Sequence, residues 1–362
     1  MIKILLGGSP CTHWSIAQKN DRETQPNSGL GWELFLNYKI AYDKYKPDYF
    51  LYENNKSASQ PIKDEIARQL NVVQPDLLTL DNGVRMTHIN SALVSAQNRE
   101  RFYVTNFGDI EQPKDRGILL KDILEHGVVE KEKAYCLCTD HTGTTRDYFK
   151  KHQSQVVFEP VRLGSIGSNS QAHRVYSCYG KSITLSTPIG GQGGKTGLYF
   201  VPLPDALVGL VCDKGKIYSV ADGRIETKSG VWKVNLPDGL YIIRKLTVNE
   251  AKRLQTIPEW YSFPVSDQQA YKMIGNGWTI EIIKYLLSKI PNILEEEIEV
   301  LSMYDGMSCG QIALEEMGCN VVRYYATEID KYAIQTTLHN FPNTIQLGDA
   351  FQVREKGWCI NG

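Results

Sequence analysis

Apolar residues in the first hundred positions recur at two periods, and the two alternate along the chain. Residues 2–6, Ile-Lys-Ile-Leu-Leu, are a short branched run closed by Gly7-Gly8, the pattern of a buried strand. Between 32 and 45, Leu34, Phe35, Tyr38, Ala41, Tyr42 and Tyr45 return at helical spacing and share one face. Residues 49–52 form a second short apolar run after Pro47. Residues 62–70 are helical, with Asp64 and Glu65 early and Arg68 late, as the helix dipole favours. Residues 102–105 form a third strand. Strand–helix alternation predicts the α/β class: a parallel sheet with helices on both faces.

The pattern breaks near residue 135. Gly, Ser, Thr and aromatics dominate, Gly190–Gly194 has the composition of a loop, and β-like runs follow at 198–201 and 207–211. Helical period returns at 247–255, where Thr247 and Glu250 have capping-box spacing, and at 279–290, before Pro291. A strand at 298–303, a glycine-containing turn, a helix through Met317, a strand at 321–326 and a run ending at Gly348-Asp349 complete the chain. There is no internal repeat.

With 362 residues, 42% hydrophobic and 22% charged, the chain is globular in composition, which excludes collagen, coiled coil and wholesale disorder. No apolar run reaches membrane-spanning length, and the N-terminus has the pattern of a strand rather than a signal peptide. Eight cysteines have no framework spacing, and Cys136-x-Cys138, the only close pair, is a poor zinc signature. A reducing, cytoplasmic setting without a metal is expected. The net charge of −1 conceals an asymmetry. From His141 to Lys245 there are 14 Lys and Arg against 7 Asp and Glu, a net of +7, which leaves −8 for the remainder. A basic, β-rich middle suits a polyanion.

Four short motifs carry candidate chemistry. Asp305-Gly306-Met307-Ser308-Cys309-Gly310 joins a strand to a helix, and Glu328 ends the next strand, where an acid can bind ribose hydroxyls. With Glu328 so placed, an adenosine-containing cofactor is favoured over a plain glycine turn. Gly8-Ser9-Pro10-Cys11 puts a cysteine on the loop after a buried strand, where a thiolate can act as nucleophile. Tyr52-Glu53-Asn54 puts a carboxyl at another strand end, where an apolar setting would keep it protonated. In Gln97-Asn98-Arg99-Glu100-Arg101, strand alternation would project the two arginines together. Taken singly, each is more often structural than catalytic.

Together, Pro-Cys, Glu-Asn and Gln-x-Arg-x-Arg followed by a β-rich insert resemble the DNA cytosine-5 methyltransferases. Arg244-Lys245-Leu246-Thr247, Glu250, Arg253-Leu254-Gln255 and Pro258 resemble that family's ninth motif, and Ile274-Gly275-Asn276-Gly277-Trp278 its tenth. Tyr304 to Gly310, Glu328-Ile329-Asp330 and Gly348-Asp349 resemble its first three. In the usual member those three come first, so the order here resembles a circular permutation. There are departures: Thr12 stands for Gln, Trp14 for Phe, Asn55 for Val and Gly277 for Ser or Ala. Trp278 is similar to the animal de novo methyltransferases, as are the stretches 92–103 and 300–310.

The resemblance implies a Rossmann-like, permuted methyltransferase sheet with a smaller β-rich target-recognition domain. Residues 1–135 would be the catalytic half, 136–262 the target-recognition domain and 263–362 the cofactor half. It implies methyl transfer from S-adenosylmethionine to C5 of a cytosine flipped out of duplex DNA. Cys11 would add to C6 and Glu53 act at N3, with Arg101 and Arg99 on the O2 side. Tyr304, Asp305, Gly306, Gly310, Glu328, Ile329, Asp349, Pro10, Asn276 and Trp278 would hold the cofactor. Arg174, Lys181, Gln192, Lys195 and Lys216 are the expected DNA contacts in a chain read as a monomer serving restriction-modification or phage modification. Alternatives are a tRNA cytosine-5 methyltransferase, a catalytically inactive DNA-binding homologue, and transfer from an altered S-adenosylmethionine.

Overall fold

The first apolar run becomes β1 (Ile2–Gly7), in which Ile4, Leu5 and Leu6 are fully buried. The computed structural model describes residues 1–10, 13–14, 22–72, 82–125 and 247–358, with strand segments at 162–165, 174–177, 198–202, 217–227, 230–233 and 238–244. After β1 come α1 (Leu30–Tyr45), β2 (Tyr49–Asn55), α2 (Gln60–Gln69), β3 (Arg85–Asn90) and β4 (Glu100–Thr105). The middle contributes β5 (Arg162–Ser165), β6 (Arg174–Ser177), β7 (Leu198–Pro202), β8 (Ile217–Ala221), β9 (Arg224–Thr227), β10 (Gly230–Lys233) and β11 (Gly239–Arg244). Then follow α3 (Val248–Leu254), α4 (Asp267–Asn276), α5 (Ile280–Leu287) and β12 (Glu297–Met303). The last elements are α6 (Cys309–Met317), β13 (Asn320–Thr327), α7 (Lys331–Asn340), β14 (Ile345–Gly348) and α8 (Ala350–Glu355).

One sheet has the order β14-β13-β12-β1-β2-β4-β3. The strand that opens the sequence is therefore central, parallel to β2 on one side and to β12 on the other. Strand alternation divides two cores. Ile4, Leu6, Leu51 and Val300 face one, with α5 and α6; Leu5, Phe50, Tyr52 and Leu301 face the other, with α1 and α2. This is the Rossmann-like α/β sheet expected, with one change: β4 is antiparallel to both β2 and β3, so the sheet is mixed. The short link 91–99 cannot make the long crossover that a parallel pair needs. β3, Arg-Met-Thr-His-Ile-Asn, carries no apolar alternation, which is why its pattern does not announce a strand.

Other differences are local. The buried stripe of α1 runs through Trp32, Phe35, Tyr38, Ala41 and Tyr45, leaving Leu34 and Tyr42 at its margins. α2 starts at Gln60, so Asp64 and Glu65 fall in its second turn and Glu65 instead pairs with Arg68. α4 is hidden by its polar content, yet buries Ala270, Met273 and Ile274 at helical spacing. The capping box of α3 forms as its spacing predicts: Thr247 Oγ1 accepts from Glu250 N at 3.1 Å, and Glu250 Oε2 accepts from Thr247 N at 2.8 Å.

The middle strands make a second seven-stranded sheet, β10-β9-β8-β11-β7-β6-β5, antiparallel except between β6 and β7. The run predicted at 198–201 is β7; the one at 207–211 lies outside the described residues. Ala251, Leu254, Ile257 and Tyr261, grouped with the middle unit by sequence, pack in the first sheet's core. Among the described residues no helix is long and apolar enough to cross a membrane, and no cluster of side chains could hold a metal.

Leu301 is wholly buried on the α1 side of the central sheet. Replacing it by Ala should cost about 2–5 kcal/mol in urea unfolding, the range for a leucine truncated in a packed core.

Candidate active site

The five parallel strands end along one edge of the sheet, where open α/β sheets bind ligands. Tyr52, Gly7, Met303, Thr327 and Gly348 are successive register partners along that edge. β4 runs the other way and so brings its first residues to the same edge, with Arg101 opposite Asn55.

Glu53, on β2, is 8% exposed. Its Oε1 lies 3.0 Å from Nε of Arg101, which is equally buried, and its Oε2 accepts from Trp278 Nε1 at 3.1 Å. The apolar setting expected for this carboxyl is thus replaced by a buried ion pair. Such a pair persists only where its hydrogen bonds are good, because both charges give up their water. The turn after β1 passes close by: a Cβ on Gly8 would lie 2.6 Å from the Glu53 carbonyl oxygen and 3.0 Å from its Oε2. Asn54, fully buried, donates to the Ser9 carbonyl at 3.0 Å and to Ser9 Oγ at 3.1 Å, while Tyr52 Oη lies 2.8 Å from Ser9 Oγ. Gly8 and Asn54, to which the motifs assign no role, therefore fix the turn that leads through exposed Pro10 toward Cys11. Cys11 itself lies outside the described residues.

Arg99 reaches the turn before α5. Its Nη1 donates to Gly275 O at 3.2 Å and its Nη2 to Gly277 O at 2.9 Å. Arg99 stands just before β4 and Arg101 within it.

The second half of the edge is the turn between β12 and α6. Tyr304, Gly306 and Ser308 all have positive φ, near 60°, a conformation that suits only the glycine. The turn is held from β13: Tyr304 N donates to Thr327 Oγ1 at 3.1 Å and Asp305 N to Thr327 O at 3.0 Å. Tyr304 Oη donates to Leu34 O on α1 at 2.8 Å, and burial raises its phenol above the ordinary value. Glu328 caps the same turn, accepting from Gly306 N at 2.8 Å through Oε2 and from Ile329 N and Asp330 N through Oε1. Beside it, Ile329 is 75% exposed. Gly310 lets α6 approach the sheet, since a Cβ there would lie 2.5 Å from Leu6 Cδ1.

Asp305 is the most perturbed carboxyl of the turn. Burial is the leading cause and pushes its pKa up to about 6, although Ser308 Oγ and Tyr324 Oη donate to it, the latter at 2.9 Å. Next to it Cys309 is buried, and burial pushes its thiol up to about 12. Asp349 caps α8, accepting from Phe351 N at 3.0 Å. Asn276 is exposed, and Trp278, half-buried, spans the two groups: its main-chain N donates to Cys309 Sγ at 3.3 Å while its indole meets Glu53. The edge therefore joins Glu53 and Arg101 to the cofactor-like turn. Of the expected DNA contacts, Arg174 falls on β6; Lys181, Gln192, Lys195 and Lys216 lie outside the described residues.

Residues 1–292 match the family model for C-5 cytosine-specific DNA methylases. The chain is 26% identical over 305 residues to the type II methyltransferase M.HpaII of Haemophilus parainfluenzae, covering 81% of this chain and 74% of that one. To M.HhaI of Haemophilus parahaemolyticus it is 26% identical over 306 residues, covering 80% and 76%. To M.SsoII of Shigella sonnei it is 44% identical over 309 residues, covering 81% and 65%.

The buried Asp305 makes a pH prediction. Its folded pKa of about 6 exceeds the ordinary 3.8, so the folded state holds the proton more tightly than the unfolded chain. The stability this contributes is complete below 3.8 and is lost as pH rises through about 6. Thermal melts of the ligand-free protein should show Asp305→Asn gaining on the parent by about 1.4 kcal/mol between pH 5 and pH 7.5, the upper part of a total of about 3 kcal/mol over the whole titration. A difference independent of pH would contradict the assignment.

Proposed function

The chain belongs to the C-5 cytosine-specific DNA methylase family and is a DNA cytosine-5 methyltransferase; we propose that it methylates flipped-out cytosine in double-stranded DNA through a covalent adduct on Cys11. The observation that carries this reading is the buried Glu53–Arg101 pair, set where the turn bearing Pro10 reaches the sheet edge. A carboxyl and a guanidinium side by side match N3 and O2 of one cytosine edge.

The order of the parts supports a circularly permuted member. The family match stops at residue 292, and the cofactor-like turn begins only at Tyr304. The residues present fit S-adenosylmethionine. Gly306 has open space where a Cβ would stand, Glu328 offers carboxylate oxygens beside it, and exposed Ile329 can cover an adenine. Buried Asp305 gains from a nearby cation, which repays its desolvation. Tyr304 and Gly310 shape the turn, Asp349 would meet the adenine amino group, and Asn276, Trp278 and Pro10 would line the methionine side. When bound, S-adenosylmethionine supplies a sulfonium-activated methyl group.

The chain's own residues do the rest. The Cys11 thiolate forms a bond to C6, and a proton or hydrogen bond from Glu53 at N3 draws off the charge that would otherwise build on the ring. Arg101 holds O2, and Arg99 supports the pocket through the 275–277 carbonyls. Once C5 carries the methyl group, loss of its proton returns the electron pair that expels Cys11 by β-elimination. The basic stretch from His141 to Lys245, net +7, would grip phosphates while the base is out of the stack.

Bisulfite sequencing of DNA from cells expressing the protein should reveal methylation at one short sequence. Cys11→Ser should abolish it and fail to trap on DNA containing 5-fluorocytosine; a stable adduct formed by that variant would overturn the assignment. Glu328→Ala should weaken S-adenosylmethionine binding in calorimetry by about tenfold or more, since a carboxylate's hydrogen bonds are worth about 1.5–3 kcal/mol.

A further inference from the structure

Glu53 has to present its carboxyl in one plane to act on a base edge, and Arg101 alone does not set that plane. A carboxyl turns easily about the bond to its side chain, because terminal torsions of this kind are broad. An ion pair at Oε1 leaves that rotation open; a hydrogen bond at Oε2, from a different element, closes it. Trp278 makes that hydrogen bond, at 3.1 Å, while the Arg101 guanidinium is paired with Oε1 at 3.0 Å. A carboxyl group has about four lone-pair sites, so this hydrogen bond and this ion pair leave room on its oxygens for the proton that Glu53 shares with N3.

The donor is itself held firmly. Trp278 N donates to Cys309 Sγ at 3.3 Å, and Arg99 takes the carbonyls of Gly275 and Gly277. Gln255 Nε2 donates to Ile274 O at 2.8 Å and Gly277 O at 3.2 Å, and Thr279 Oγ1 donates to Gln255 Oε1 at 2.8 Å. The main chain from 274 to 279 is thus pinned to the start of β4, the end of α3 and the first turn of α6. Nothing in this anchoring is needed for an indole that serves only as an apolar wall, where phenylalanine would do.

We infer that Trp278 is a positioning residue for methyl transfer: its indole N–H, together with Arg101, fixes the plane in which Glu53 meets the target base. This rests on the proposed role of Glu53, and goes beyond the role the motif resemblance gives Trp278, that of closing the cofactor pocket.

The test uses the full chain, unmethylated DNA of mixed sequence and radiolabelled S-adenosylmethionine. Trp278→Phe keeps an aromatic ring and removes the donor. It should lower kcat about tenfold, the low end for a hydrogen bond to a charged group. The KM for both substrates should stay within about twofold, as for an interaction made at the chemical step. Benzothienylalanine at 278 keeps the bicycle and replaces N–H by sulfur; it should reproduce the loss, and it decides the matter if the Phe variant folds poorly. In a Glu53→Gln background the Phe change should add little to the slower adduct formation on 5-fluorocytosine DNA, because the two groups act through one contact. Full kcat in the benzothienyl protein, or the same loss in both backgrounds, would overturn the inference. A parent protein that methylates no DNA would instead overturn the proposed function.

Discussion

Everything at the site depends on where β1 lies. It pairs with β2 from its own end of the chain and with β12 from the other, Gly7 standing level with both Tyr52 and Met303. A run of Ile-Lys-Ile-Leu-Leu can occupy that place because both of its faces are apolar enough to be covered. Parallel pairing then dictates that the turns after β1, β2, β12 and β13 emerge together. Glu53 is brought to this edge by strand order and direction, and Trp278 meets it there from the turn between α4 and α5.

That edge is assembled against the grain of stability. Three residues of one short turn adopt left-handed backbone, two of them with side chains that disfavour it. Asp305 is buried although its charge is disfavoured there, and Glu53 and Arg101 leave water together. The layers beneath supply the compensation: two apolar cores, one on each face, with Ile4, Leu5 and Leu6 wholly enclosed. Strained and desolvated groups gathered where the strands end, over well-packed cores, are what a functional site looks like energetically.

Much of this was legible in the residues, for physical reasons. β1, α1, β2, β12, α6 and β13 announce themselves because their burial follows the period of the element, and Thr247 and Glu250 mark the start of α3 through a local bond. β3 and α4 do not, since their polar residues dilute the period and only tertiary packing fixes them. At the candidate site the motifs mark positions, not partnerships. Glu-Asn and Arg-x-Arg point to chemistry, whereas the hold of Arg99 on the Gly275 and Gly277 carbonyls and the reach of Trp278 to Glu53 depend on where strands begin and how turns cross.

The departures from the family's motifs take on a shared meaning in the same place. Gly277 stands where the family has Ser or Ala, and a Cβ there would sit 3.0 Å from Cys309 Sγ and 3.1 Å from the Met273 carbonyl oxygen. Cys309, on the opposing turn, fills the volume that a side chain at 277 would have used, and its sulfur accepts the next main-chain N–H. The two residues are a matched pair across the two halves of the site. Asn55 is similar in kind: its side chain accepts from Ser57 N at 3.0 Å and shapes the turn after β2, a local bond that a valine could not make. Substitutions of this sort re-fit the walls while leaving the Glu53–Arg101 pair and the Asp305 turn in place.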